Sequence, residues 1–406
     1  MGGDTSVAII GAGPIGIEAA LRAVDQGYPV TVYEAGRQVA THVRDWAHVP
    51  LFTSWDMSIS PLARRTISDL PTGDGCPTGA QLADATDRLA AALPAGTVRL
   101  STRIEAVGRA GLVKSDEIGT PRRAHQPFRL LACHPDGSET VEQAQVVVDC
   151  TGSYALPNAL GNGGVPAPGE RTLHHRIQRR IPDLNGGDQA LYAGRKILLV
   201  GAGKSAQTAA RDLADLAASE PDTSVIWAVR SDNPSWGEVA GDPLLQRQGL
   251  VDLARKVAGG HVDRVQLHRG VCVDGLHEGT DGHLTVRLSD GTQVTVDQIL
   301  ALVGSVGDAG LHRQLQVHQC YATEGVMNLA AQLLAETGGD CLTQSAKGIE
   351  ALRNPEPDFF ILGSKAYGRN NTFLLHAGWE QVDQVLTALA IGARDREPAI
   401  PPAGQR

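Results

Sequence analysis

Twice along this chain a short apolar run meets a cluster of glycines and passes into a helical pattern and a second apolar run, and later a hairpin leads into one more buried strand. The spacing of the two copies is that of domains, not of a solenoid repeat. In the first copy the run Val7–Ile10 meets Gly11-Ala-Gly13-Pro-Ile-Gly16, a helical pattern follows from Ile17 to about Gln26, and a strand is predicted at Val30–Tyr33. Each glycine has a reason: Gly11 permits the tight turn, Gly13 lets a pyrophosphate approach the backbone, and Gly16 allows close helix–strand packing. The helix start offers free N–H groups and the positive end of a dipole, a ready seat for phosphate.

Glu34 ends the second strand of this copy, where a carboxylate accepts the hydroxyls of an unphosphorylated ribose. That favours FAD or NAD over NADP. The copy closes with Phe128–His134, a Pro135-Asp136-Gly137 turn and the buried run Val146–Cys150, ending in Thr151-Gly152.

The second copy opens with Ile197–Val200, Gly201-Ala-Gly203-Lys-Ser205-Ala206, a helix to about Ala217 and a strand at Val225–Val229. It closes with Gly282–Ser289, an Asp290-Gly291 turn, Gln293–Val296 and Ile299–Val303 leading to Gly304. Here the third glycine is alanine, and Arg230 beside Ser231 stands where the first copy has Glu34. A guanidinium pairs with a 2′-phosphate that a carboxylate would repel, so this seat reads as one for NADPH. The fold class expected is α/β, with two Rossmann-like dinucleotide-binding domains.

At 406 residues the chain exceeds what one core supports. The net charge of −9, with basic residues scattered, argues against nucleic-acid or anionic-membrane partners. No apolar run reaches the roughly 20 residues of a membrane span, and residues 1–6 lack a signal-peptide pattern, so a cytoplasmic protein is expected. The six cysteines are widely separated and form no CxxC pair, which writes neither a metal site nor a redox-active dithiol. The adjacent His174 and His175 cannot face one site on a regular element, so no metal is expected there either. No coiled-coil heptads occur, and oligomer formation is left open.

These motifs resemble the two-dinucleotide-binding flavoproteins, the group of thioredoxin reductase-like enzymes and flavin-containing monooxygenases. Three stretches sharpen the resemblance toward bacterial flavin monooxygenase-like proteins. They are Trp46-Ala-His-Val-Pro-Leu-Phe-Thr-Ser-Trp55, Arg180-Ile-Pro-Asp183 with Tyr192-Ala-Gly-Arg-Lys, and Pro355 through Gly363-Ser-Lys-Ala-Tyr-Gly-Arg-Asn-Asn-Thr to Leu375. The F-x-G-x-x-x-H pattern of those monooxygenases is met only by Gly169 through His174-His175, without the phenylalanine.

The resemblance implies an NADPH domain (166–309) inserted into a discontinuous FAD domain (1–165 and 310–396), with a flexible tail at 397–406. It implies FAD contacts at Gly11, Gly13, Pro14, Ile15, Gly16, Glu34, Ala35, Thr151, Gly152, Gly363, Tyr367, Arg369 and Thr372. NADPH contacts fall at Gly201, Gly203, Lys204, Ser205, Ala206 and Arg230. A helix starting near Asn371 or Thr372 would point its positive end at the reduced flavin. Trp55, Lys365 and Asn371 are the candidates for the catalytic pocket.

The activity implied is FAD- and NADPH-dependent oxygenation of a nitrogen or sulfur centre of a small molecule by O2 through a flavin C4a-hydroperoxide. The competing readings are an NADPH-dependent flavin reductase that passes electrons to a small-molecule or protein acceptor, and a redox-sensing flavoprotein without turnover. Gly307–Lys347 is expected to carry substrate-pocket loops.

Overall fold

The computed structural model describes residues 5–239, 242, 244–335 and 348–395. The expected tail, residues 336–347 of the expected pocket loops, and Cys341 lie outside the described residues. The chain forms two compact units, and each holds one glycine turn. The first gathers residues up to Arg44, Ser54–Ala155 and residues from Val306 on, while the second takes Asp45–Thr53 and Leu156–Ser305.

In the first unit a parallel sheet runs in the order Phe359–Ile361, Val146–Asp149, Val7–Ile10, Val30–Tyr33, Val98–Arg99. Val7 pairs with both Val30 and Val146, so the strand before the glycine turn is central. Every residue of Val7–Ile10 and Val146–Asp149 is buried. Strands covered on both faces need continuous apolar runs instead of alternation, and that is how these segments read. The helix spans Pro14–Asp25, starting earlier than the expected Ile17. Gly13 is its extended N-cap and Pro14 its first residue, where a missing N–H costs nothing and the fixed φ suits the helix.

The second unit repeats the plan with Val265–Arg269, Ser224–Val229, Lys196–Val200, Gln298–Ala301 and Ile177–Gln178, again all parallel. Side chains alternate between its two faces. Ile197, Leu199, Val225, Trp227 and Val229 pack with Ala206, Ala209, Ala210 and Leu213 of the Lys204–Ser219 helix. Leu198, Val200, Ile226 and Ala228 pack with Leu284, Val286 and Leu288 on the opposite face.

Both expected hairpins are present, each with a glycine in the left-handed region, Gly137 at φ +81 and Gly291 at φ +88. Each gains a third antiparallel strand that the sequence reading missed, Arg103–Arg109 in one and Val273–Glu278 in the other.

The C-terminal part of the first unit is tied to the N-terminal part by a buried charge cluster. Glu356 accepts from Arg109 Nε and Arg123 Nη2, each at 2.7 Å, and from the Gln316 N–H at 2.8 Å. The Arg109 guanidinium also lies 3.5 Å over the Phe128 ring centroid and donates to the Pro357 carbonyl. Burial alone would raise the Glu356 carboxyl, but the bonds from Arg123, Gln316 and Arg109 outweigh it and hold it below its ordinary value. Breaking such a cluster strands two buried guanidiniums. Glu356→Ala is expected to cost about 3–5 kcal/mol, read as a lower denaturation midpoint at unchanged slope; a loss of under about 1 kcal/mol would remove the clamp from the account of stability.

Candidate functional site

The first glycine turn is shaped by three different demands. A Cβ on Gly11, whose φ is +100, would lie 2.7 Å from the Cys150 carbonyl oxygen, and one on Gly16 would overlap the Gly11 carbonyl. Around Gly13 nothing lies within 4 Å of that position. The outer glycines are therefore required by the fold, and the middle one leaves an open cradle. No side chain caps the Pro14–Asp25 helix, so its first N–H groups face that opening. Glu34 closes one side: its carboxylate accepts the Ala12 and Gly36 N–H groups, each at 2.7 Å. Two backbone bonds fix its orientation and leave further lone pairs for a ribose.

Beneath the turn lies a group the sequence reading did not single out. Asp149 is fully buried and accepts from Lys365 Nζ at 2.6 Å, Thr151 Oγ1 at 2.7 Å and the Thr151 N–H at 3.1 Å. Lys365 also donates to Thr151 Oγ1 and the Asp308 carbonyl, at 3.1 and 2.8 Å, so all three of its N–H groups are used. Burial by itself would raise the Asp149 carboxyl, yet the Lys365 ammonium, the neighbouring His312 and the bonds from Lys365 and Thr151 hold it far below the usual carboxylate range. His312 is also buried, but its Nδ1 stands 3.8 Å from Asp149, beyond hydrogen-bond reach. The signal for this pair was a carboxylate at the end of an all-apolar run, which no buried strand tolerates unpaired.

Lys365, expected in a catalytic pocket, is only 3% exposed and serves as a brace between the sheet and the C-terminal segment. Gly363, at φ +74, packs on Ile15 of the first turn, and its N–H donates to the buried Gln381 side chain at 2.8 Å. A Cβ on Gly378 would strike Ile15 Cδ1. The structure thus brings Gly363 to the first glycine turn. Tyr367 is buried with its ring 5.3 Å from that of Phe373, and Arg369 is half-exposed in an ion pair with Glu324 at 2.8 Å.

The last helix is Leu375–Asp395, beginning beyond the expected Asn371 or Thr372. Asn370 takes the capping residue's part in a local turn instead, accepting the Thr372 N–H and hydroxyl at 3.0 and 2.8 Å, while Asn371 is exposed. Trp55 begins the short helix Trp55–Ser58 and is partly buried.

The second turn has the same geometry. A Cβ on Gly201, at φ +130, would overlap the Leu302 carbonyl, whereas nothing lies within 4 Å at Gly203. Ala206 is fully buried in the place of the third glycine. The helix from Lys204 lacks a side-chain cap, and Ser205 is exposed in its first turn. Arg230 follows the Ser224–Val229 strand, exposed, and its side chain pairs with no carboxylate among the described residues. The buried pair Asp242–Arg247, at 2.6 and 2.7 Å, was not foreseen.

His174 and His175 lie in an exposed turn with rings edge to face, and no cluster of potential metal ligands occurs among the described residues. The cysteines described are all free, and burial pushes the Cys150 thiol far up, which leaves it unreactive. No helix among the described residues is long and apolar enough to cross a membrane.

Residues 5–321 match the family model described as pyridine nucleotide-disulphide oxidoreductase. The chain belongs to this family. Its architecture, two Rossmann-like units with the second inserted into the first, is shared with solved structures of low identity. Bacillithiol disulfide reductase from Bacillus cereus is 21% identical with a TM-score of 0.65, over 96% of this chain and 99% of that one. The cadaverine monooxygenase of desferrioxamine biosynthesis from Erwinia amylovora, bound to FAD, is 13% identical with a TM-score of 0.62, over 98% and 99%. The ornithine N-hydroxylase of Kutzneria sp. 744, with reduced FAD, NADP+ and L-ornithine, is 14% identical with a TM-score of 0.59, over 97% and 99%. Among curated proteins no match was found.

One further carboxylate marks the helix of the first turn. Glu18 is buried and accepts from Ser60 Oγ at 2.7 Å. Burial raises it to about 7, against the opposing effects of Ser60, Arg22 and Arg65, with Asp383 adding to the rise. The folded state then binds more protons than the unfolded state between its ordinary value of 4.5 and about 7. Stability therefore falls as pH rises through that window, by up to about 3 kcal/mol. Glu18→Gln is expected to flatten this slope in denaturation curves taken at pH 5 and pH 7.5; an unchanged slope would remove Glu18 as its source.

Proposed function

We propose that this chain is an FAD- and NADPH-dependent monooxygenase that places one oxygen atom of O2 on a nitrogen or sulfur centre of a small molecule. The membership in a pyridine nucleotide oxidoreductase family and the two glycine cradles support an oxidoreductase that uses two dinucleotides. In this reading the first unit is the flavin domain, with FAD against Gly11–Gly16, Glu34, Ala35, Thr151, Gly152 and the 363–372 segment. The second is the NADPH domain, with the nucleotide against Gly201–Ala206 and Arg230. FAD fits the first cradle because Gly13 is open where its neighbours are crowded and Glu34 suits an unphosphorylated ribose. Bound FAD would supply hydride acceptance and O2 chemistry. The chain's own part is to hold the ring, exclude water and orient the acceptor.

The observation that carries the choice of reaction is the cysteine distribution. A disulfide reductase needs a dithiol to relay electrons, whereas the six cysteines here include no CxxC pair and the one next to the first turn is buried and unreactive. The similarity to a cadaverine monooxygenase and an ornithine N-hydroxylase then supports O2 and a soft nucleophile as the acceptors. The likeness to bacillithiol disulfide reductase favours the second reading, an NADPH-dependent reductase delivering electrons to a small-molecule or protein acceptor without a dithiol of its own.

The cradle and the reaction have separate tests. Gly13→Val meets open space at an ordinary φ of −76, so it is expected to fold like the parent yet purify without yellow colour; Gly11→Val should fail to fold. Retention of FAD by Gly13→Val would sink the placement. For the reaction, NADPH oxidation, O2 uptake and H2O2 release are followed with a panel of amines and thioethers. A monooxygenase gives an amine or thioether that speeds NADPH oxidation and is oxygenated one-to-one with it. Stoichiometric H2O2 with every candidate, together with rapid reduction of a quinone, would transfer the assignment to the reductase.

A further inference from the structure

The Asp149–Lys365 brace under the first turn has an ionisable neighbour that its hydrogen bonds leave unused. His312 is 3% exposed, yet neither of its ring nitrogens has a hydrogen-bond partner among the described residues. Its Nδ1 stands 3.8 Å from Asp149 Oδ2, and its ring centroid lies 5.7 Å from that of Phe359. An imidazole kept there only to fill space is a poor choice, because burying polar nitrogens without partners costs free energy that a leucine would not. A local rule broken with no compensating contact marks a functional position. What an imidazole offers here and an apolar side chain lacks is the capacity to take and release a proton in the neutral range.

The charges around His312 are already balanced without it. Asp149 is matched by Lys365, whose Nζ lies 2.6 Å away. The strand Arg103–Arg109 packs on the Gly310–His312 turn; its Arg103 and Glu105 are exposed, and its buried Arg109 is committed to Glu356, which Arg123 also holds. Beside Phe359 stands Asp358, partly buried, and beside the turn stand Asp308 and Arg313, both exposed. A proton on His312 therefore gives the brace one net positive charge in an apolar core. Such a charge is unfavourable by itself and favourable once a negative charge forms nearby. The brace reaches the place where one would form, since Asp149 accepts from the Thr151 N–H and hydroxyl, and Lys365 donates to Thr151 Oγ1 from within the 363–372 segment.

Resting on the assignment of FAD to the first unit, with its ring against Thr151, Gly152 and the 363–372 segment, we propose that His312 is a redox-linked proton site: it takes one proton from solvent when the bound flavin is reduced by two electrons and returns it on reoxidation. A hydride carries two electrons and one proton, and so leaves the reduced flavin with one negative charge. The proton on His312 balances that charge, and the only bond made or broken in the protein is its N–H. Asp149 keeps the protonated imidazole from standing unpaired in the core, and Lys365 keeps Asp149 ionised in both redox states. His312 is thus a positioning residue for charge and touches no reacting atom.

The test follows the midpoint potential of the bound flavin against pH across the neutral range, on the purified FAD-loaded protein and on His312→Leu and His312→Asn. By linkage, the slope counts the protons taken up with the two electrons. The parent is expected to take up two protons through part of this range. Both variants should take up one there, a slope half as steep; His312→Asn keeps a polar side chain that cannot titrate, so it separates the proton from polarity and packing. The oxidised His312→Leu protein should melt no lower than the parent, because unpaired polar nitrogens have left the core. A parent that takes up one proton throughout the range overturns the proposal with no variant needed. Variants that keep the parent's slope overturn it too, and leave His312 a packing residue. Parent protein that neither purifies with FAD nor takes it up would instead overturn the assignment of the first unit, and the inference with it.

Discussion

Everything else in the molecule depends on how closely its backbone crosses itself at the two glycine turns. At Gly16 there is no room for a methyl group between the helix and the Gly11 carbonyl, and at Gly201 none between the turn and the Leu302 carbonyl. That closeness seats each helix against the end of the central strand and aims its uncapped start at open space. A capping serine or aspartate would satisfy those N–H groups and fill the cradle. Leaving them free costs local stability and keeps an anion site vacant of protein atoms.

A parallel sheet with a seat at its strand ends still needs a floor and a wall, and in the first unit both come from the far end of the sequence. Phe359–Ile361 completes the sheet, Lys365 neutralises Asp149 under the turn, and Gly363 and Gly378 admit Ile15. The Arg109–Glu356–Arg123 cluster fixes the same segment from outside the sheet. Buried ion pairs of this kind add little net stability over well-packed apolar groups. Their value here is registry: a segment more than 200 residues distant in sequence can lie on Val146–Asp149 in only one register if its lysine and glutamate are to find their partners.

Local chemistry made most of the architecture legible. The glycine turns, the fully apolar strands flanking them and the two Asx-Gly hairpins declare themselves because each is specified by neighbours in sequence. The third strands of the antiparallel sheets did not, since Arg103–Arg109 and Val273–Glu278 alternate weakly and are defined by the partner they join. The brace at Asp149 was half legible: Lys365 was noticed, but its partner lies 216 residues away, and only the fold shows that they meet. At the last helix, Asn371 and Thr372 looked like a helix start, but the stretch closes a local turn on the Asn370 side chain instead, since Asn and Thr side chains suit such turns as well as helix caps.

The two seats, alike in backbone, differ in every side chain that meets charge. Around the first stand a carboxylate held by two backbone N–H groups and a proline that carries no charge. Around the second stand Lys204, Arg230 and Arg247, with Asp242 committed to Arg247. A ligand held by shape, backbone and a buried floor is one that stays; a ligand held largely by exposed or half-buried cations arrives quickly, feels salt and leaves. Under the proposed reading, a division between a resident and an exchanging dinucleotide would be written in side chains at equivalent places on one backbone plan.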